Sequence, residues 1–328
     1  MKLEEIGFYT LSDKRTREAS ILSPLCRCEL LLTNQCNFSC PYCRGTSSDA
    51  NISLSQAFKI IDLWAEEGLQ NIRFSGGEPT VSPLIEFVCG YAKEKGIKRI
   101  AVSTNGSALR RMYEYLLNEG VNDFSISLDA CCSSTGDIMS GKDNQWNIII
   151  DNIKYLSSKT YVTVGVVLTK ENIGELNNII KLASDELNVA DIRIITSAQW
   201  NQFLGNIQID DKYLNKHPIL RYRINNLNNG RDIRGISEAD NHLCPLVLDD
   251  MAVRGDYHYP CIIKMREGCS PIGKVSSKMR IERLEYYKNH NVFNDFICRK
   301  NCLDVCIAYN NKINNLIPTD PERNNEKI

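Results

Sequence analysis

Six short apolar runs alternate along the first two thirds of the chain with longer segments whose apolar residues recur every three or four positions. The short runs are rich in Val, Ile and Leu and have the length of buried strands. They are Glu29–Thr33, Ile72–Ser75, Ile100–Thr104, Phe124–Leu128, Val162–Leu168 and Ile192–Thr196. The helical segments are Leu54–Glu67, Pro83–Lys95, Ala108–Asn118, Trp146–Ser157 and Ile173–Glu186. Three of these helices are followed by a glycine, which favours the left-handed conformation that ends a helix. The pattern predicts an α/β fold with a parallel sheet and right-handed crossovers.

Polar or glycine-rich segments follow the first four predicted strands. Cys36 comes after the first strand, Gly76 after the second, Asn105 after the third and Asp129 after the fourth. Parallel strands joined by such crossovers place their C-terminal ends on one side of the fold. We therefore expect these segments to form a single site.

Composition and charge are those of an ordinary globular enzyme. The chain has 328 residues and a net charge of −1, which gives no indication of a nucleic-acid partner. No apolar run is long enough to cross a bilayer, and the first residues lack the basic start and apolar stretch of a signal peptide. The sequence predicts a cytoplasmic protein without a membrane partner.

Fourteen cysteines are many for such a chain. A secreted disulfide protein is the alternative, but that class is small and the predicted cytoplasmic location argues against it. Cysteines that are reduced and bound to metal fit better.

Cys36, Cys40 and Cys43 lie on one short loop after the first predicted strand. Three thiolates can hold three corners of an iron–sulfur cube and leave the fourth iron open for a substrate. The alternatives are a structural zinc site, a redox pair formed by Cys40 and Cys43, and packed thiols without metal. The open cluster is favoured because no His lies near the loop to close a zinc site.

The loop resembles the motif of the radical S-adenosylmethionine (SAM) superfamily, with Tyr42 just before the last cysteine. Three further segments match that superfamily in order and register, and the resemblance covers residues 26 to 200. These segments are Gly76-Gly77-Glu78-Pro79, Ser103-Thr104-Asn105-Gly106 and Ser127-Leu128-Asp129-Ala130. The resemblance implies a partial (β/α)6 TIM-like barrel, a [4Fe-4S] cluster that binds SAM, and reductive cleavage of SAM to a 5′-deoxyadenosyl radical. It also implies a flavodoxin- or ferredoxin-type electron donor.

The resemblance assigns SAM contacts to residues that follow the strands. Gly76, Gly77 and Glu78 would lie along the methionine end, and Ser127 would meet the carboxylate. Asn105, Asp129 and Tyr42 are further candidates, although an Asn before Gly commonly makes a turn and an Asp after a strand commonly caps a helix. Where many relatives place an Arg for the carboxylate, this chain has Ser140, with Lys142 as a substitute.

The C-terminal third begins after an Asn- and Gly-rich boundary, residues 225 to 235. A hairpin is predicted over Val247–Val253 and Tyr257–Ile263, with Cys261 on its second strand. The region resembles the SPASM and twitch extensions, small α+β domains that bind auxiliary iron–sulfur clusters. We expect one auxiliary [4Fe-4S] cluster, with ligands Cys244, Cys261, Cys302 and Cys306 and with Cys269 and Cys298 as alternates.

Two features of this region stay open at the level of sequence. The spacing of Cys298, Cys302 and Cys306 also fits a thiol stripe on one helix. A spare cysteine, Cys269 or Cys298, could return a hydrogen atom to a substrate radical, as in radical SAM epimerases, or could simply pack. The predicted organisation is an N-terminal segment over 1–25, the barrel over 26–225, the cluster domain over 236–315 and a tail over 316–328.

Three functions compete. The leading one is radical modification of a ribosomally made peptide, either epimerisation or cross-link formation. The second is oxidation or epimerisation of a sugar or aminocyclitol. The third is a non-catalytic iron–sulfur electron-transfer protein, which would not need Gly77, Glu78 and Ser127 beside the cluster.

Overall fold

All six predicted barrel strands are present and parallel. The computed structural model describes residues 20–23, 25–45, 51–200, 207–240 and 242–316, so most of the predicted N-terminal segment and tail lies outside the described residues. The strands are β1 (Arg27–Thr33), β2 (Asn71–Gly76), β3 (Arg99–Thr104), β4 (Asp123–Ser127), β5 (Tyr161–Leu168) and β6 (Asp191–Thr196). Each of them pairs in parallel with its sequence neighbour. The predicted α/β class is confirmed.

Helices lie between the strands, largely where periodicity predicts them. The barrel helices are α1 (Leu54–Glu66), α2 (Ile85–Glu94), α3 (Arg110–Asn118), α4 (Ser133–Ser140), α5 (Trp146–Ser157), α6 (Leu176–Lys181), α7 (Asp211–Lys216) and α8 (Pro218–Asn228). Helix α4 was not predicted, because its eight residues are mostly small and polar. The predicted helix over residues 173–186 is divided into a 3₁₀ turn, α6 and a π-helical turn. His217 separates α7 from α8, because the α conformation is disfavoured for a residue that precedes a proline.

The C-terminal region continues the barrel sheet. Strands β7 (Asp250–Arg254), β8 (Tyr257–Tyr259) and β9 (Gly273–Lys274) extend the order to β6-β5-β4-β3-β2-β1-β7-β8-β9. Strand β7 pairs in parallel with β1, whereas β8 pairs in antiparallel fashion with both β7 and β9. The predicted barrel and extension therefore share one sheet.

One prediction for this region is wrong, and one alternative that the sequence left open is excluded. Cys261 does not lie on a strand, because β8 ends before Pro260, which has no N–H to donate to a ladder. Cys261 instead caps α9 (Ile262–Arg266). The three-cysteine helix stripe is also absent, because α11 (Phe296–Asn301) ends at Cys302, whose ψ is 136°, and α12 (Asp304–Leu316) begins beyond it. Helix α10 (Met279–Asn289) completes the region.

The two faces of the sheet differ in character. Alternate strand residues such as Leu30, Phe74 and Val102 are buried against the helices in the main apolar core. The intervening residues form a polar face on the other side, and they include Glu29, Arg73, Ser75, Ser103, Asp123, Ser125 and Arg193.

No helix among the described residues is long and apolar enough to span a bilayer.

Candidate functional site

The cysteine loop leaves β1 with its three thiols partly open to solvent. Cys36 and Cys43 are exposed and Cys40 is half-buried. Backbone N–H groups of Phe38 and Gly45 donate to the Sγ atoms of Cys36 and Cys43, each at 3.4 Å. Iron–sulfur clusters are bound by soft cysteine thiolates, and backbone N–H groups that donate to the sulfur atoms tune such clusters. The residues therefore fit the predicted cluster.

Burial raises the pKa of two of these thiols when no metal neutralises them. The pKa of Cys36 is raised, and that of Cys40 is raised to about 12, in both cases mainly by burial. A cluster must therefore displace protons from these two thiols when it binds.

Gly76 and Gly77 hold the cysteine loop against the end of β2. The N–H of Gly77 donates to Thr33 O at 2.8 Å, and the N–H of Glu78 donates to Gln35 O at 2.8 Å. A Cβ added at Gly77 would lie 2.7 Å from Asn34 O and closer still to Gln35 O. The two backbones approach so closely that only glycine fits.

Glu78 is buried and serves the protein rather than an open pocket. Its Oε1 accepts from the backbone N–H and the hydroxyl of Thr80 and from the hydroxyl of Thr104, at 3.1, 2.7 and 2.7 Å. Its Oε2 accepts from the Asn105 N–H at 2.6 Å. Burial raises the pKa of Glu78, and these hydrogen bonds oppose the shift. The carboxylate thus ties the ends of β2 and β3 together.

Asn105 connects the end of β3 to the cysteine loop. Its Nδ2 donates to Asn37 Oδ1 at 2.8 Å, between the first two cysteines of the loop. Its Oδ1 accepts from the N–H of Ser107 at 3.0 Å, which is the local turn expected for an Asn before Gly. The residue therefore combines the predicted turn with a contact to the loop.

A pocket opens beside the cysteine loop, between the rim of the sheet and α4. It brings together five of the predicted site residues, which are Cys40, Tyr42, Asn105, Ser127 and Asp129. Gly76, Gly77 and Glu78 are not among its lining residues. Gly77 and Glu78 instead form hydrogen bonds to the end of β1, to the cysteine loop and to the end of β3. We call this cavity the rim pocket.

Tyr42 and Asp129 form the base of the rim pocket. The Tyr42 hydroxyl donates to Asp129 Oδ2, and the Val167 N–H donates to Oδ1 at 2.6 Å. Burial raises the pKa of Asp129 to about 6, and both hydrogen bonds act in the opposite direction. Asp129 does not cap α4, which is the alternative that the sequence left open.

Helix α4 supplies a further support that the sequence did not reveal. The carbonyl of Ser140, at its last turn, accepts from the Ser39 N–H in the cysteine loop at 3.0 Å. A Cβ at Gly141 would meet Ser39 C at 2.8 Å. Lys142 places its Nζ 5.9 Å from the centre of the Phe38 ring. The Ser140 position thus contacts the loop through its backbone.

Five cysteines of the C-terminal region line a second cavity. They are Cys244, Cys261, Cys298, Cys302 and Cys306. All four predicted auxiliary ligands lie here, although Cys302 lies between α11 and α12 and Cys306 lies on α12. Cys298 joins them, with its Sγ 3.8 Å from His290 Nε2. We call this cavity the five-thiol pocket.

Cys269 is separate from the five-thiol pocket. It packs against a small apolar cluster that includes Leu31 of β1 and Met265. Two residues earlier, Glu267 forms an ion pair with Arg44, which directly follows the cysteine loop. The segment with Cys269 is therefore fastened to the loop.

Arginines of the polar face are the residues that the sequence analysis missed. Arg73 forms an ion pair with Asp123 at 3.2 Å, and Arg193 donates to Ser125 Oγ at 2.7 Å across Gly165. Burial lowers the pKa of Arg193 to about 10, and Arg73 and Arg223 act in the same direction. The available signal was that polar or charged residues occupy alternate positions in much of β1, β2, β4 and β6.

Comparison with known proteins agrees with the geometry. Residues 30–183 match the family described as the Radical SAM superfamily. Molybdenum cofactor biosynthesis protein 1 of Dictyostelium discoideum is 31% identical over 65% of this chain, and the alignment spans only 34% of that protein. A probable GTP 3′,8-cyclase of Sulfurisphaera tokodaii is 28% identical over 60% of this chain and 69% of its own length.

A similar fold is found in solved structures. Native anSMEcpe with bound AdoMet and Cp18Cys peptide gives a TM-score of 0.55 at 14% identity. The superposition covers 88% of this chain and 96% of that one. The fold likeness therefore extends through the C-terminal region as well as the barrel.

Proposed function

Because residues 30–183 form a radical SAM domain, we propose that this chain removes a hydrogen atom from a residue of a peptide substrate. The observation that carries the proposal is the position of the rim pocket, which opens directly beside three thiols on one loop. Members of this superfamily use a [4Fe-4S] cluster and SAM. When bound, they supply a 5′-deoxyadenosyl radical that abstracts hydrogen.

Cys36, Cys40 and Cys43 would hold the cluster. SAM would occupy the rim pocket, where Ser127 and the side chain of Asn105 offer polar contacts. Tyr42 and Asp129, joined to each other, would shape its base. Gly76, Gly77 and Glu78 would act by fixing the cysteine loop and the end of β3, rather than by the direct contacts that the resemblance implied.

The five-thiol pocket would hold one auxiliary [4Fe-4S] cluster. Four thiols satisfy such a cluster, so one of the five is in excess. We assign Cys244, Cys261, Cys302 and Cys306 as ligands. Cys298, beside His290, would be the spare thiol of this pocket.

A peptide substrate is supported by the fold likeness across the C-terminal region. The anSMEcpe structure that resembles almost the whole chain holds a peptide together with AdoMet. The polar face below the rim pocket gives such a substrate hydrogen-bonding partners inside the barrel.

Of the two spare thiols, Cys269 is better placed to return a hydrogen atom. It packs beside Leu31 of β1, and the Arg44–Glu267 ion pair fastens its segment to the cysteine loop. Cys298 faces the five-thiol pocket instead. In an epimerisation, the Cys269 S–H would give its hydrogen atom to the substrate radical. An electron from the flavodoxin- or ferredoxin-type donor and a solvent proton would restore the thiol.

The test uses anaerobic, reconstituted and reduced protein with SAM and peptides encoded by short reading frames beside its gene. We expect 5′-deoxyadenosine to form faster with one of these peptides. When the reaction runs in D2O, a gain of about one mass unit in the peptide would indicate epimerisation. A loss of about two mass units from the peptide would indicate a cross-link. Failure of every such peptide to stimulate 5′-deoxyadenosine, in protein that binds SAM, would refute a peptide substrate.

Two matched variants test the donor. Cys269→Ala should abolish deuterium incorporation while 5′-deoxyadenosine still forms, and Cys298→Ala should incorporate deuterium as the unchanged protein does. If Cys298→Ala loses incorporation and Cys269→Ala keeps it, the assignment is reversed; unchanged incorporation in both would remove the donor role.

A nucleotide is the second candidate substrate. Arg73 and Arg193 lie on the polar face and could bind an anionic group, and the curated relatives include a probable GTP 3′,8-cyclase. GTP added in place of peptide provides the test. One result would favour this candidate over the first: GTP is consumed together with the formation of 5′-deoxyadenosine. This consumption should be lost in Arg193→Met and retained in the control Arg110→Met, which changes an exposed residue of α3.

A further inference from the structure

Two adjacent thiols and a carboxylate meet directly after Ala130, a residue that lines the rim pocket. Cys131 and Cys132 form the turn between β4 and α4, and Glu175 ends the 3₁₀ turn Ile173–Glu175 that precedes α6. One ligand atom from each of the three residues lies within 4.8 Å of the others. This cluster is distinct from the cysteine loop and from the five-thiol pocket.

Hydrogen bonds already draw the three groups together. Cys131 directs its Sγ to Glu175 Oε2 at 3.2 Å, and its N–H donates to the same oxygen at 3.4 Å. The Thr135 hydroxyl donates to the other oxygen, Oε1, at 2.5 Å. Cys132 places its Sγ 3.2 Å from the hydroxyl of Ser134. Both ends of the carboxylate are therefore oriented, with one oxygen aimed at the thiols.

We propose that Cys131, Cys132 and Glu175 bind a zinc-type divalent cation. Thiolate pairs with a carboxylate suit a borderline-soft cation, and zinc accepts this mixture of sulfur and oxygen ligands. Zinc–sulfur bonds of about 2.3 Å and zinc–oxygen bonds of about 2.0 Å place neighbouring ligand atoms about 3.5 Å apart. Cys131 Sγ and Glu175 Oε2 are already 3.2 Å apart, the other pairs of ligand atoms lie within 4.8 Å, and water would take the fourth position.

Thr135 would position the carboxylate, since a hydrogen bond to the free oxygen fixes the orientation of a metal-binding carboxylate. The cation would also join the β4–α4 turn to the segment before α6. Ala130 and Gly136, on either side of this turn, line the rim pocket. Zinc would therefore hold one wall of that pocket in place.

The experiment uses full-length protein with its clusters reconstituted, given one equivalent of zinc and passed through a weak chelating resin. We expect about one zinc per chain beyond a full complement of iron. Cys131→Ser/Cys132→Ser should lose this zinc and keep its iron, and Glu175→Gln should bind zinc at least about tenfold more weakly. The control variants Cys26→Ser and Glu171→Gln should retain it.

X-ray absorption at the zinc edge identifies the ligands separately from iron. The proposal expects two sulfur atoms at about 2.3 Å and lighter atoms at about 2.0 Å. Three or four sulfur ligands would place the zinc in another cysteine group and overturn the proposal. Equal zinc in the double variant and the unchanged protein would overturn it as well. If the double variant loses iron, the Glu175→Gln affinity and the absorption spectrum of the unchanged protein decide the question.

Discussion

Replacement of Gly77 by Ala tests whether the glycine pair holds the cysteine loop in place. A Cβ at this position would stand 2.7 Å from Asn34 O, and ordinary contact begins at 3.4 Å. The loop backbone must therefore move by about 0.7 Å or more. The obstructing atoms are backbone atoms, so no side-chain rotation can relieve the overlap.

The expected loss follows from this overlap. Overpacking of a tightly packed site costs about 1–3 kcal/mol in the free energy of unfolding. A loss of 2 kcal/mol would lower the Tm by roughly 3 °C, because an unfolding entropy of about 2.1 cal/mol/K per residue applies to a chain of 328 residues. Because Cys36 follows Gln35 directly, we also expect the cluster site and the rim pocket to be distorted.

Three measurements read the effect: the Tm at a fixed scan rate, iron per chain, and the change in the electron paramagnetic resonance spectrum of the reduced cluster when SAM is added. Gly174→Ala is the matched control, because its Cβ would meet nothing within 4 Å. We expect the control to behave as the unchanged protein does. If Gly77→Ala keeps the original Tm, iron content and spectral response, the close approach of the two backbones is not needed.

Three further substitutions test separate side-chain contacts. Glu78→Gln should lower the free energy of unfolding by about 1–3 kcal/mol, because a buried amide cannot accept all four hydrogen bonds. The surface control Glu114→Gln should leave it unchanged. Equal Tm values for the two variants would contradict this. Asn105→Ala should weaken SAM binding in equilibrium dialysis by roughly tenfold, because about 1–1.5 kcal/mol of hydrogen bonding to the cysteine loop is lost; an unchanged Kd would refute it. Arg223→Met should lower the free energy of unfolding in urea by about 3–5 kcal/mol, because it leaves the buried carboxylate of Asp304 without its ion-pair partner. If Asp304→Asn does not cause a similar loss, the ion pair is not the reason.

Much of the site was predictable because its elements are local in sequence. The spacing of Cys36, Cys40 and Cys43, and the place of Gly76, Asn105 and Asp129 after successive strands, predicted a shared rim, which the structure confirms for the strand ends. Roles were harder to predict. Glu78 accepts four hydrogen bonds from the protein, and no sequence pattern distinguishes such a carboxylate from one that faces a ligand.

The C-terminal region shows the same division. Its hairpin was predicted, but β7 pairs with β1 across more than two hundred residues of chain, and the sequence carries no signal for that partner. Cys261 lies outside the expected strand because that strand ends before Pro260. Cys302 lies outside the possible helix stripe because α11 ends at Asn301. They still reach one pocket with Cys244 and Cys306.

Sequence alone determined the order of the barrel strands, most of the helices between them and the loop with three thiols, since periodicity and ligand spacing act over a few residues. Tertiary structure decided which thiols meet, which face of the sheet is polar, and how Gly77 fixes the loop. These features depend on contacts between distant segments, whose geometry is set by how the whole sheet twists and packs rather than by any local pattern.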